Sequence, residues 1–180
     1  MFVHTIDEEL SLRLIDNGDA EEIFQLTDNS RDHLRVWLSW VDGTKEVSDT
    51  KGFIDFSKKL YANSTGMTAV ILYHGDIAGL ISFNKLDWQN KIAHIGYWLA
   101  QEFTGKGIMT RAARAMTDYA FSGLNMHKAE IRAAENNAGS RAVPKRLGFV
   151  EEGRIRSAEW LYDRYVDHIV YGMLNDEWGK

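Results

Sequence analysis

The sequence contains no cysteine among its 180 residues. That excludes disulfides, thiolate metal sites and any covalent intermediate carried on a cysteine. Proline is nearly absent as well: Pro144 stands alone, so no proline-rich linker divides the chain. Apolar runs are short, and none approaches the ~20 residues a membrane-spanning helix needs. The opening MFVHTIDEELSLRL has neither a basic start nor an apolar stretch, so no export signal is expected there. An excess of positive charge is missing too. The net charge of −5 argues against an extended nucleic-acid surface. These absences predict a cytoplasmic protein that engages neither membrane nor nucleic acid.

What is present fits one domain over residues 1–180. Hydrophobic residues make up 44% and aromatics 12%, and a chain of this length buries roughly 70% of its unfolded surface. Charge is unevenly placed. Residues 101–156 hold ten Lys/Arg (among them Lys106, Arg111, Arg114, Arg141 and Arg146) against six acids, a local +4 against −9 elsewhere. A positive field in an acidic protein suits a polyanionic ligand there and a cationic one elsewhere. Charges scattered on solvated faces would give the same count.

The order of elements predicts a mixed α/β sheet. Strands are expected at Leu10–Ile15, Thr68–Tyr73, Ile77–Leu86 (across a Gly75-Asp76 turn) and Ile92–Leu99. Asp19 is expected to cap a helix through Ile23 and Leu26, with a second around Asp32–Leu38. Ser48 opens a third with Phe53, Ile54, Phe56 and Leu60 inward. Ile108, Ala112, Met116 and Ala120 recur at helical spacing up to Gly123. Then follow strand 129–134, helix 140–147, and strands 150–157 and 166–174. Seven strands result, mostly antiparallel, with one parallel strand–helix–strand step.

The junction from Ile95 to Thr110 is the most specific feature. A strand runs through Thr104-Gly105-Lys106-Gly107 into a helix opening Ile108-Met109-Thr110. First-turn N–H groups lack internal partners and carry partial positive charge. Gly105 and Gly107 let backbone approach an anion closely, and Lys106 adds a full charge. A pyrophosphate suits such a loop, although a plain tight turn would use the same glycines. It matches neither the Walker pattern nor the three-glycine dinucleotide fingerprint.

Gly96-Tyr-Trp-Leu99, Thr104-Gly-Lys-Gly-Ile-Met109 and a helix ending Asp118-Tyr-Ala-Phe121 together resemble the acetyl-CoA motif of the GNAT superfamily, and within it the RimJ/RimL branch, which acetylates ribosomal-protein N-termini. Gly107 matches the central glycine of the superfamily's Gln/Arg-x-x-Gly-x-Gly/Ala loop. Thr104 and Met109 depart from its outer positions. Asn137, Ser140 and Leu147-Gly-Phe149 match a second block. Leu34-Arg-Val-Trp-Leu-Ser-Trp40, Ala158-Glu-Trp160 and Tyr165-Val-Asp-His-Ile-Val-Tyr171 extend the resemblance over nearly the whole chain.

The resemblance implies a GNAT fold with its fourth and fifth strands splayed, acetyl-CoA as co-substrate, and no metal. It implies pyrophosphate contacts from Thr104 to Thr110, and Asn137 on the pantetheine arm. Ser140 would sit beside the sulfur, as acid or as helix cap. A backbone N–H around Leu99 would meet the oxyanion. It places the general base at Glu159, with His94 as competitor. Where many members carry an acidic tyrosine, this chain has Pro144, whose missing N–H would leave the Ser140 carbonyl free. Trp37, Trp40, Tyr97, Trp98 and Trp160 could wall an acceptor cleft, though aromatics are also ordinary core material. Asp42 and Asp167 could attract a cation. The expected acceptor is an amine, such as a ribosomal-protein N-terminus, and a homo-oligomer is compatible with this reading. A polyamine- or antibiotic-acetylating enzyme, or an acyl-CoA-binding module without turnover, are the alternatives.

Overall fold

Alternating apolar side chains build one sheet with a helical layer on each face. The computed structural model describes residues 3–180. Its strands are β1 (Val3–Thr5), β2 (Leu10–Leu14), β3 (Met67–Tyr73), β4 (Asp76–Asp87), β5 (Ile92–Leu99), β6 (Lys128–Ala134), β7 (Val150–Leu161) and β8 (Arg164–Leu174). They form a sheet in the order β1-β2-β3-β4-β5-β6-β8-β7. The mixed, mostly antiparallel class is as expected, and the one parallel pair is β5 with β6. The count is eight rather than seven. The added strand is β1, three exposed residues paired with β2, too short to show alternation in the sequence.

The helices are α1 (Ala20–Asn29), α2 (Arg31–Arg35), α3 (Val47–Ala62), α4 (Ile108–Asp118) and α5 (Ala138–Arg146). On one face Ile71, Ile81, Phe83, Ile95 and Ile131 meet Ile108, Ala112 and Met116 of α4. On the other, Val70 and Leu80 meet Ile23 and Leu26 of α1 and Ile54 of α3. Strand neighbours such as Val70 and Ile71 thus serve opposite layers, the period-two pattern of a sheet covered on both sides.

Several local expectations are corrected. Asp19 does not cap α1 with its side chain. It is buried, bonded to Arg13 at 2.6 Å and accepting from the Asp16 N–H. Helix α3 starts before Ser48, where Asp49 Oδ2 accepts the Glu46 N–H. Phe53 and Phe56 are 44% and 58% exposed, whereas Ile54 faces inward as expected and is joined there by Thr50 and Ser57. Those three share the i, i+4, i+7 face, and two are small polar residues that a hydrophobic count overlooks. The hairpin turn is His74-Gly75, both at positive φ, as a two-residue primed turn demands. Helix α4 ends at Asp118 and runs on as a π turn through Gly123.

The feature that positions the site is a parting of strands. Registered pairs between β5 and β6 run from Ile92↔Lys128 to Ile95↔Ile131 and stop. Strand β5 keeps β4 as partner through Leu99, and β6 keeps β8 through Ala134. This is the expected splay, between the fifth and sixth strands in the full count. Both strands remain bonded on their outer sides, so the gap exposes one edge of each.

Gly79 lies opposite Leu99 at the open end. A Cβ there would stand 2.1 Å from the Trp98 carbonyl oxygen and 2.9 Å from the Leu99 Cα. Gly79→Ala must push β5 off β4, and should cost about 1–3 kcal/mol, as overpacking does. Gly153→Ala meets nothing within 4 Å and serves as the control. Thermal melts of the two variants check this: only Gly79→Ala should lose several degrees.

Candidate active site

Beyond Leu99 the chain makes a short 3-10 turn, Gln101–Phe103, and enters α4 through Thr104–Gly107. Gly105 and Gly107 have φ of +78° and +70°, and a Cβ at either would meet nothing within 4 Å. Their use is therefore conformational: left-handed backbone that leaves bare amides facing open space. Gly107 is the N-cap of α4 and offers no side-chain acceptor. The first-turn N–H groups stay available, with the helix dipole behind them. The Thr110 hydroxyl, in the same turn, is a buried polar atom without a hydrogen-bond partner among the described residues.

These groups open on a cavity of about 840 Å³. Leu99, Thr104, Gly105, Gly107, Ile108, Met109 and Thr110 line one side, and Asn137 and Ser140 the other. The structure thus gathers nine of the expected contact residues around one space. Lys106 is not in the wall; its ammonium lies 5.6 and 5.4 Å from the ring centres of Tyr73 and Phe103. The Ala100 N–H donates to the Ala78 carbonyl. Successive amides of a strand point to opposite sides, so the Leu99 N–H points toward the side that has lost β6.

The second wall is the start of α5. Its cap is Asn137, whose Oδ1 accepts the Ser140 N–H at 3.2 Å. Ser140 therefore belongs to the first helical turn and is not the cap. Its carbonyl accepts the Tyr97 hydroxyl at 2.8 Å. Burial pushes the Tyr97 phenol well above its ordinary range, so it remains a donor. Arg141, one residue on, donates to Tyr171 Oη and to the Glu135 carbonyl.

Glu159 stands apart from this wall, on β7, with Oε2 3.0 Å from His168 Nε2. The β7–β8 hairpin is nonetheless tied to the cavity. The Tyr162 hydroxyl at its tip donates to the carbonyl of Leu38, a lining residue. The Arg35 guanidinium lies over the Tyr162 ring. His94 is outside the cavity and pairs with Glu130 at 3.2 Å. Of the aromatics, Trp37, Tyr97 and Trp98 line the space. Trp40 packs on Trp98 at 5.7 Å, and Trp160 packs on Tyr165 at the exposed hairpin. Asp42 is held by Arg35 and Asp167 by Arg154, so neither is an unpaired anion for a cation.

Sequence reasoning missed His33, Leu34, Phe103, Val143 and Arg146 as lining residues. Arg111, counted earlier only as local charge, also lines the space while bonding Asp7 and Glu9 of the β1–β2 connection. Only the basic cluster hinted at Arg146; the others are apolar or lie on α2, far off in sequence. Among the described residues no cluster of three His, Asp or Glu is placed to hold a metal ion. No helix there is long and apolar enough to cross a membrane.

Comparison with known proteins points the same way. The family described as acetyltransferase (GNAT) domain matches residues 9–150. A Bacillus subtilis protein provisionally named a ribosomal N-acetyltransferase, YdaF, is 38% identical over 179 residues, 99% of this chain and 98% of its own. The ribosomal L7/L12 alpha-N-protein acetyltransferase RimL, solved with coenzyme A, superposes with a TM-score of 0.91 at 29% identity, covering 96% and 98% of the two chains. The microcin C7 self-immunity acetyltransferase MccE, solved with acetyl-CoA and AMP, gives 0.89 at 32% identity over 94% of each chain.

The His94–Glu130 pair generates a pH prediction. The hydrogen bond from His94, and then that from Arg132, hold the buried Glu130 carboxyl down to about 2 from its ordinary 4.5. A depressed folded pKa means the unfolded chain takes up the proton first. The stability this group contributes is complete above about pH 4.5 and lost as pH falls toward about 2. Glu130→Gln should flatten that acid limb in melts recorded from pH 6 to 2. Superimposable limbs would show that the pair does not hold the carboxyl down.

Proposed function

Since the chain belongs to the GNAT acetyltransferase domain family, we propose that it moves the acetyl group of acetyl-CoA directly onto the N-terminal amine of a protein such as a ribosomal protein. The observation that carries this reading is the cavity whose two ends differ: a bare amide cradle at α4 and a hydroxyl on the first turn of α5. The Gly105–Thr110 amides bind the pyrophosphate of acetyl-CoA, a use of a helix N-terminus that needs no cationic side chain in the wall. Asn137 meets the pantetheine arm. The inward Leu99 N–H faces the acetyl carbonyl and stabilises negative charge developing there. Acetyl-CoA supplies the activated acyl group; with no cysteine present, acyl-cysteine chemistry is closed and transfer occurs in a ternary complex.

An α-amino group, with a pKa of about 7.7–8.0, is largely protonated at neutral pH. A base must remove its proton before or during attack. Glu159 takes that role, its carboxylate oriented by His168 and its hairpin fastened to Leu38 at the cavity. Ser140 returns a proton to the departing thiolate. The likeness to YdaF and RimL supports a protein N-terminus as acceptor, and with it a cytoplasmic location. The likeness to MccE shows that the same fold serves another purpose, so the acceptor is what the experiment must decide.

Thiol release from acetyl-CoA, followed with ribosomal-protein N-terminal peptides and with polyamines, tests the proposal. Peptides should be the better acceptors. Glu159→Gln should slow turnover tenfold or more, within the ~10²–10⁴-fold span of general bases, while binding acetyl-CoA normally. Ser140→Ala should lower kcat more than acetyl-CoA affinity. Turnover of polyamines alone contradicts the acceptor, and a near-native Glu159→Gln with an inactive His94→Asn transfers the base to His94.

A further inference from the structure

Helix α5 carries Pro144 in its interior. The helical donor for the Ser140 carbonyl would be the N–H of residue 144, four positions on, and proline has none. The structure supplies a substitute from another element. Tyr97 Oη donates to that carbonyl at 2.8 Å. Tyr97 lies two residues past Ile95, the last residue of β5 paired with β6, so it sits where the strands have parted. Its hydroxyl therefore spans the opening, joining the β5 wall of the cavity to the α5 wall. Both Tyr97 and Ser140 line that cavity. Ser140 is fixed at both ends of its peptide frame, its N–H by Asn137 and its carbonyl by Tyr97.

We infer that Tyr97 is a positioning residue: its hydroxyl, occupying the acceptor that Pro144 leaves unmet, latches α5 to the splayed strand and so sets the width of the cleft and the aim of the Ser140 side chain. The inference rests on the acetyl-transfer reading for its catalytic consequence, though the latch itself is independent of it. Proline and tyrosine act as a matched pair. Without Pro144 the carbonyl would be bonded within its own helix, and the two walls would lose the tie. Without the Tyr97 hydroxyl the carbonyl has no helical donor to fall back on, and a half-buried acceptor goes unpaired.

Tyr97→Phe removes one oxygen and keeps the ring. In folded protein it should lower kcat about tenfold and raise KM for acetyl-CoA several-fold, since a small misplacement of a reacting group is enough. Amide exchange in the N-terminal part of α5, residues 138–143, should quicken about tenfold without any substrate present. The same substitution is then made in a Pro144→Ala background. There the new N–H at position 144 can take the carbonyl, so both the exchange effect and the stability loss caused by Tyr97→Phe should shrink to less than about threefold in the equilibrium constant, a double-mutant coupling. Unchanged exchange and kinetics in Tyr97→Phe overturn the inference. So does an equal loss in both backgrounds, or a double variant that fails to fold where Tyr97→Phe alone also fails. A merely structural tyrosine would lower the melting temperature and leave kcat and KM of the folded protein alone. If the wild-type protein neither binds nor turns over acetyl-CoA, the acetyl-transfer reading fails, while the exchange measurement still decides the latch.

Discussion

One parting of strands governs the rest of the molecule. Strands β5 and β6 share four registered pairs and then separate. A parallel pair that stops early leaves one edge of each strand with unpaired backbone groups, and buried groups of that kind need partners. Here the edges face a cavity. The roles proposed for the Leu99 N–H, the α4 amides and the first turn of α5 all depend on no strand filling that space. The parting is stable because each strand keeps an antiparallel partner outside the gap, and because two helical layers bury apolar residues on both faces.

A gap of this kind needs its walls held at a fixed spacing. On one side Gly79 lets β4 approach β5 so closely that no Cβ would fit. Across the gap, Tyr97 ties β5 to α5 through the carbonyl that Pro144 leaves open. At the mouth, the β7–β8 hairpin is fastened to Leu38 by Tyr162. The proposed anion cradle obeys another logic. Two glycines at positive φ expose amides, and the dipole of α4 supplies the charge. Lys106 turns to aromatic faces and Arg111 to Asp7 and Glu9, so the cradle relies on backbone more than on the local excess of basic side chains.

Much of this was legible in the sequence because the informative residues are local. Gly105, Gly107 and the apolar period of α4 lie in one stretch, and so do Asn137, Ser140 and Pro144. Contacts that close over distance were not. Tyr97 read as an aromatic of either core or cleft, and Pro144 as a removed donor of unknown consequence. Only the fold brings the two 43 residues apart in sequence, Tyr97 and Ser140, into one bond. Phe53 and Phe56 misled because hydrophobic character alone assigned the inner face of α3, whereas Thr50 and Ser57, smaller and polar, occupy it. Strand β1 is three residues long and exposed, so no alternation announced it.

The central claim is that backbone amides at the start of α4 bind the diphosphate of acetyl-CoA. Calorimetric titration of acetyl-CoA into folded Gly107→Asp protein tests it most directly. The substitution brings a side chain and a negative charge to the helix N-cap, where the glycine stands at φ +70° with open space before it. The account requires affinity to fall at least tenfold in protein that remains folded at the titration temperature, the left-handed backbone costing aspartate about 1–2 kcal/mol of stability. Affinity equal to that of the unaltered protein would contradict it.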